Sequence, residues 1–378
     1  MATSIEYIEL PSSSPGTQRR LKVFRYGRPE ARPKAYVQAS LHADELPGQL
    51  VQLHLRRLLE QAEERLLGEV VVVPVANPVG LAQHLNGRLL GRQDFDGSGN
   101  FNRSYPDPVE AVLARVGAQL GMDGAANVAL IRAALRQTLA QWPALREVEA
   151  MKKALLGLAI DADLVLDLHC DSEALLHLYA SAHQQELAVE LGAQLGAPTV
   201  LLESDPGGSP FDESAAGPWW KLRQRVPGAA IPLACFAATV ELRGQADVDE
   251  ASAVADALNI FRFLQRRGVV AGDPGPLPMP LTTGTPLDGV DWICAPAAGL
   301  IVYRKRLGER VEEGEVVAEL VDPLVDDPAQ ARIALASRTA GLFFARLQEK
   351  LARPGQVVGK VAGPRSLPHR EAGKLLEP

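Results

Sequence analysis

Unbroken apolar runs alternate with stretches of helical period between Tyr36 and Gln265. Tyr36-Val37-Gln38-Ala39, Glu69-Val70-Val71-Val72-Val73-Pro74-Val75 and Asp163-Leu164-Val165-Leu166-Asp167-Leu168 read as strands buried on both faces. Further strands are expected at Leu175–Ala180, Thr199–Glu203 and Phe236–Leu242. Between them, Gln49 to Leu67 places Leu50, Leu53, Leu55, Leu58 and Leu59 at helical spacing. The pattern from Pro108 to Ile160 is also helical, with turn signals at Gly121 and Pro143, and further helices are expected at His183–Leu195 and Asp249–Gln265. Ile5 to Phe24 reads as an edge hairpin turning at Pro11 to Gly16. Gly87 to Asp107 is a long loop; Glu203 to Trp220 is either a second, flexible loop or simple surface packing. Strands alternating with helices predict an α/β fold, a mixed and mostly parallel sheet with helices on both faces.

The pattern changes after residue 270. Ala271 to Pro286 is dense in Pro and Gly and reads as a linker. Beyond it, Ala298-Gly299-Leu300…Gly314-Glu315-Val316-Val317 is echoed by Ala340-Gly341-Leu342…Gly355-Gln356-Val357-Val358. Two copies of strand-turn-strand predict a small, pseudo-symmetric all-β barrel over 287–378. Ala295-Pro296-Ala297-Ala298-Gly299 and Val311-Glu312-Glu313-Gly314 resemble the biotinyl/lipoyl carrier fold. Leu320-Val321-Asp322-Pro323 stands where a carrier presents its modifiable lysine, so this domain is expected to act as a wall or gate without a covalent cofactor.

Composition narrows the class. The 378 residues are 47% hydrophobic and 22% charged, ordinary globular usage that allows one large and one smaller domain. A net charge of −7 disfavours nucleic acid or an anionic membrane as partner. Met1 to Leu10 carries Glu6 and Glu9 and does not read as a secretory leader, and no apolar run approaches the ~20 residues that span a bilayer. Cys170, Cys235 and Cys294 are odd in number and scattered, which points to a reducing, cytoplasmic setting. A homo-oligomer is left open.

The candidate chemistry lies where strands end. His42 and Glu45 sit in the turn between the Tyr36–Ala39 strand and the following helix, where open α/β sheets place their ligands. An imidazole and a carboxylate three residues apart in such a turn can converge on one cation, and zinc accepts the pair. His169 also directly follows a buried strand and is the third ligand candidate; Asp167, two residues earlier, suits a supporting hydrogen bond. Glu241 lies within a largely apolar strand, Ala238 to Gly244. A plain pair with Arg243 explains it alone; beside a metal site it would serve as general base. His54, His84, His177, His183 and His369 read as structural or solvated, and Asp94, Asp96 and Asp107 as turn formers.

Taken together and in order, these motifs resemble the succinylglutamate desuccinylase/aspartoacylase family, itself similar to the zinc carboxypeptidases. They are H-x-x-E at His42 and Glu45, Asp167-Leu168-His169, Glu241, and Arg92 upstream of Asn102-Arg103. The resemblance spans Ala35 to Gly244 and implies a zinc carboxypeptidase-like catalytic domain over 1–270 with a helical insertion at about 108–160. It implies one Zn2+ per chain held by His42, Glu45 and His169, with Glu241 as acid/base and Arg92 polarising the scissile carbonyl. Asn102 and Arg103 would hold the substrate carboxylate; a guanidinium fork beside an amide suits bidentate carboxylate recognition. The family's D-L-N-R is Asn100-Phe101-Asn102-Arg103 here. The implied activity is hydrolysis of the amide bond of a small N-acyl amino acid. The alternatives are a metallocarboxypeptidase acting on peptides and a catalytically silent, metal-containing binding protein.

Overall fold

The computed structural model describes residues 2–205, 207–371 and 373–375. Two compact units are present, and neither is one continuous stretch of chain. The first comprises 1–169, 209–240 and 248–277; the second comprises 170–208, 241–247 and 278–378.

In the first unit, β1 (Ser4–Glu9) and β2 (Arg20–Tyr26) form the expected hairpin. They lead into β3 (Lys34–Ala39), α1 (Pro47–Gln61) and β4 (Glu69–Val73). Three helices follow, α2 (Val109–Val116), α3 (Gly124–Ala140) and α4 (Glu147–Ala159), and then β5 (Leu164–Asp171). The strand order is β1-β2-β4-β3-β5, followed by a later strand from Phe236. β3 pairs in parallel with both β4 and β5, while β2 pairs antiparallel with β1 and β4. The architecture is therefore mixed α/β, with parallel pairing at β3 and antiparallel pairing toward the β1–β2 hairpin.

Period-2 alternation assigns the two faces. Val23, Tyr36, Val71 and Val165 share a core with Val112 of α2, Ile131 of α3 and Leu155 of α4. Phe24, next to Val23, points the other way, and Arg56 of α1 lies over its ring at 3.4 Å. On that side α1 also packs against a later helix, Glu250–Arg266. At the start of α1, Gly48 lets the helix close onto the strand ends: a Cβ there would come within 2.9 Å of Ala39 Cβ and 3.0 Å of Leu168 Cβ.

In the second unit, β6 (His177–Ser181) and β7 (Thr199–Glu203) pair in parallel, with α5 (Gln185–Leu195) between them. The loop expectation for Glu203 to Trp220 is corrected from Phe211 onward. Phe211–Arg225 is a helix, α6, in the first unit, and Trp219 is fully buried. Gly207-Gly208 and Pro218 argue against a helix on paper. Phe211, Ala215, Trp219 and Leu222 nevertheless form one buried stripe, which outweighs the ~3 kcal/mol that an interior proline costs. β8 (Phe236–Gly244) and α7 (Glu250–Arg266) follow.

The repeat has a structural counterpart in the second unit. β9 (Val290–Cys294) precedes β10 (Gly299–Tyr303) and β11 (Val316–Val321); β12 (Arg332–Ala336) precedes β13 (Gly341–Arg346) and β14 (Val357–Ala362). β10 pairs antiparallel with β11, and β13 with β14. Leu300 faces Val321 in the first copy as Leu342 faces Ala362 in the second. Ile301, Val317 and Leu320 pack with Phe343, Val358 and Val361 in a shared core.

Candidate metal centre

The in-register pairing of β3 with β5 brings Ala39 level with Leu168, so both strands release their next residues on one edge. His169 follows directly. The other strand turns first at Ser40, which is fully buried and left-handed with φ 57°. Ser40 Oγ donates to Glu45 O (3.1 Å) and accepts from Gln49 Nε2 (2.9 Å), tying the two ends of the turn together. From outside, Asn77 Nδ2 donates to Leu41 O (2.9 Å) and the Ala43 N–H to Gly91 O (2.9 Å).

This turn delivers His42 and Glu45 beside His169. The three form a buried group with potential ligand atoms all within 4.8 Å of one another. Glu45 bridges the imidazoles: Oε1 is 3.0 Å from His42 Nδ1 and Oε2 is 2.8 Å from His169 Nδ1. Ligands on a tetrahedral zinc with bonds of ~2.0–2.1 Å stand about 3.3 Å apart, so the spacing suits such an ion.

The hydrogen-bond chemistry points the same way. Asn100 Oδ1 lies 2.8 Å from both His42 Nε2 and the Asn102 main-chain N–H. Since a main-chain N–H only donates, the Asn100 atom there is an acceptor, and His42 Nε2 must carry its proton. Arg92 Nη1, also only a donor, lies 3.3 Å from His42 Nδ1. His42 Nδ1 and Glu45 Oε1 therefore face each other with lone pairs, an arrangement that suits a cation. The Arg92 guanidinium, 3.0 Å from Glu45 Oε1, supplies positive charge beside it.

Charge is distributed unevenly. Burial and the Arg92 guanidinium push the His42 imidazole down to about 4, so it is neutral and able to ligate. Burial also disfavours a charged His169, but Asp167 and Glu45 outweigh this and hold it well above its ordinary value. Burial works against ionised Glu45 as well, yet the two imidazoles keep it well below the usual carboxylate range. Asp167 Oδ2 stands 3.0 Å from His169 Nε2, an ion-pair distance without the geometry of the hydrogen bond expected from the sequence.

The site is also tightly backed. A Cβ on Gly91 would meet Asp44 N at 2.3 Å and Ala43 C at 2.6 Å. Gly91→Ala is expected to displace the 43–44 backbone and weaken divalent-metal binding by about 10–100-fold, as losing groups that orient ligands does. Equilibrium dialysis checks this; wild-type affinity would show that Gly91 does not support the site.

Arg92 thus lies against the cluster, though its side chain is 54% exposed. Asn102 is buried, and its Oδ1 is taken by the Phe211 N–H (2.8 Å), so only its amide hydrogens remain to offer. Arg103 is half-buried and donates from Nη1 to Asn102 O (2.7 Å). Glu241 belongs to the second unit, half-buried on β8. In that unit Lys360 is ion-paired with Asp171; against the opposing effect of burial, Asp171, Tyr179 and Glu241 raise the lysine. His54 Nε2 lies 3.2 Å from Glu250 Oε1, and His177 Nδ1 faces Leu175 O at 2.8 Å. Asp94 accepts main-chain N–H groups of Asp96 and Ser98, and Asp107 that of Val109, as turn formers do.

Sequence reasoning passed over Asn100, Asn77 and Lys152 as site residues. Asn100 stands out only as a departure from D-L-N-R. Lys152 offered a signal: it occupies the apolar stripe of α4 with Val148, Leu155 and Ala159.

The first unit is a mixed α/β unit that carries a buried His-Glu-His group able to hold a metal ion at one sheet edge. Residues 31–120 match the succinylglutamate desuccinylase/aspartoacylase catalytic domain. The fold matches a protein assigned to that family from Shewanella amazonensis SB2B, with a TM-score of 0.84 and 27% identity over 95% of this chain and 98% of that one. A second, from Shewanella frigidimarina NCIMB 400, has a TM-score of 0.84 and 25% identity over 96% and 98%. The product-bound ectoine utilization protein EutE of Ruegeria pomeroyi shares the fold at a TM-score of 0.67 and 19% identity over 95% and 94%. No curated protein matches the sequence. The chain resembles the succinylglutamate desuccinylase/aspartoacylase family in both sequence and fold. No helix among the described residues is long and apolar enough to cross a membrane.

Proposed function

We propose that this chain is a zinc-dependent amidohydrolase that cleaves the acyl group from a small N-acyl amino acid or related amide. The observation that carries the reading is the buried group of His42, Glu45 and His169, with lone pairs of His42 Nδ1 and Glu45 Oε1 turned on each other. Bound there, zinc supplies the Lewis acidity that activates water and polarises a carbonyl. Glu241 takes the proton from the attacking water and passes it to the leaving nitrogen as the C–N bond breaks. Hydroxide adds to the acyl carbon, so the products are a carboxylate and a free amine. Arg92 hydrogen-bonds the oxyanion that forms on the carbonyl oxygen. Arg103 and the amide hydrogens of Asn102 hold the substrate carboxylate.

A hydrolysis screen of the zinc-loaded protein tests this, with N-acyl amino acids in one arm and peptides with free or blocked C-termini in the other. Turnover of the first arm is expected. Turnover of free peptides alone would replace the reading with a carboxypeptidase, and none in either arm would favour a silent binding protein. Arg103→Lys keeps the charge but loses the bidentate fork. It is expected to raise KM about ten-fold for a free carboxylate substrate and leave the amidated analogue almost unchanged. Equal losses on both would make Arg103 structural.

A further inference from the structure

We propose that the helical segment between β4 and β5 completes the site, with Lys152 of α4 as a positioning residue that holds the Asn100–Arg103 turn and, through Asn100, sets the orientation of His42. The inference rests on the metal-site reading above for its consequence, but not for its geometry.

Lys152 is 5% exposed, on a helix face otherwise given to Val148, Leu155 and Ala159. A buried ammonium is expensive unless its hydrogen bonds are made. Here they go to main-chain carbonyls: Arg103 O at 2.8 Å and Asn100 O at 3.3 Å. The Tyr105 ring lies 5.5 Å from Nζ and adds a cation–π contact. Burial lowers this lysine, with Asp94 acting in the opposite sense.

The two carbonyls belong to the ends of the turn that faces the cluster. From the same Asn100, the side-chain oxygen receives His42 Nε2 and the Asn102 N–H, each at 2.8 Å. One contact chain therefore runs from α4 through the backbone and side chain of Asn100 to the imidazole. Directly after the turn, Ser104 is left-handed at φ 59°, a conformation a non-glycine residue holds only when its surroundings insist. Lys152 holds the carbonyls at both ends of the turn that leads into it.

The consequence is specific. With Nε2–H committed to Asn100, His42 presents the Nδ1 lone pair to Glu45. Releasing the turn lets the ring rotate or change tautomer, so a ligand becomes a fluctuating one. A lysine that merely fastened a helix to a loop would affect global stability and leave His42 unchanged.

The test uses the full chain, with 15N-labelled histidine, and the variants Lys152→Met and Lys152→Arg. In metal-free wild type, the ring-nitrogen resonances of His42 should show a single Nε2–H tautomer; in Lys152→Met they should show a mixture, with Lys152→Arg largely restored. Zinc affinity by chelator competition should fall about ten-fold in Lys152→Met, the lower end of the range for groups that orient ligands. A folded Lys152→Met with a wild-type tautomer would overturn the proposal. If Lys152→Met does not fold, Asn100→Ala decides. It keeps the carbonyl that Lys152 holds but cuts the relay, so an unchanged His42 tautomer there would overturn the proposal equally. The tautomer is read without metal, so a wild type that binds no zinc would refute the proposed function and still leave this inference judged.

Discussion

Glu241→Gln is expected to lower kcat on an N-acyl amino acid by about 10²–10⁴-fold, the range for losing a general acid–base group, with KM little changed. Glutamine keeps the size and hydrogen-bonding capacity of the side chain but cannot take a proton from water. The substitution should not unfold the protein. Lys360, which feels the Glu241 charge, retains its ion pair with Asp171. Steady-state kinetics alongside thermal unfolding separate the two effects. Near-normal turnover would remove Glu241 from the chemistry, and a parallel collapse of Tm would make it structural.

His42→Ala and His169→Ala are each expected to reduce bound zinc from about one per chain to a small fraction, with activity following. The two variants should differ in stability. His42 leaves behind Asn100, a neutral amide whose oxygen keeps the Asn102 N–H and can turn to water. His169 leaves Asp167 fully buried without its imidazole, and an uncompensated buried carboxylate costs about 3–5 kcal/mol. His169→Ala should therefore melt markedly lower. Metal analysis by mass spectrometry and calorimetry check both points; full occupancy in both variants would dismantle the assigned ligand set.

The sequence made the strand ends legible because the apolar runs before His42 and His169 are continuous. In-register parallel pairing then brings those ends level. The turn chemistry was less legible. Nothing local announces that Ser40 is left-handed, or that Gly91, 49 residues after His42, presses on the turn (91 − 42 = 49). Punctuation misled at α6, where glycine and proline suggest a loop but a buried stripe around Trp219 decides for helix. Asn102 shows a further limit. Its motif reads as substrate recognition, while half of its amide is committed to the Phe211 N–H. Motifs assign residue types to a neighbourhood, and only packing reveals which of their atoms remain available.

The interleaving of the two units bears on how this chain can be cut. Deleting everything beyond Leu277 at a Pro/Gly-rich stretch looks like trimming an appendage. The second unit, however, also draws on 170–208 and 241–247, and the tail supplies their neighbours. Arg346 and Ala345 pair with Glu173 and Ala174, Thr285-Pro286 extends the edge of β7, and Lys360 neutralises Asp171. A stop codon there strips a strand edge bare and orphans a carboxylate two residues from His169. Truncations made to simplify crystallisation or assay should yield aggregates rather than a minimal enzyme, and engineering of this scaffold is better confined to surface loops such as Pro11 to Gly16.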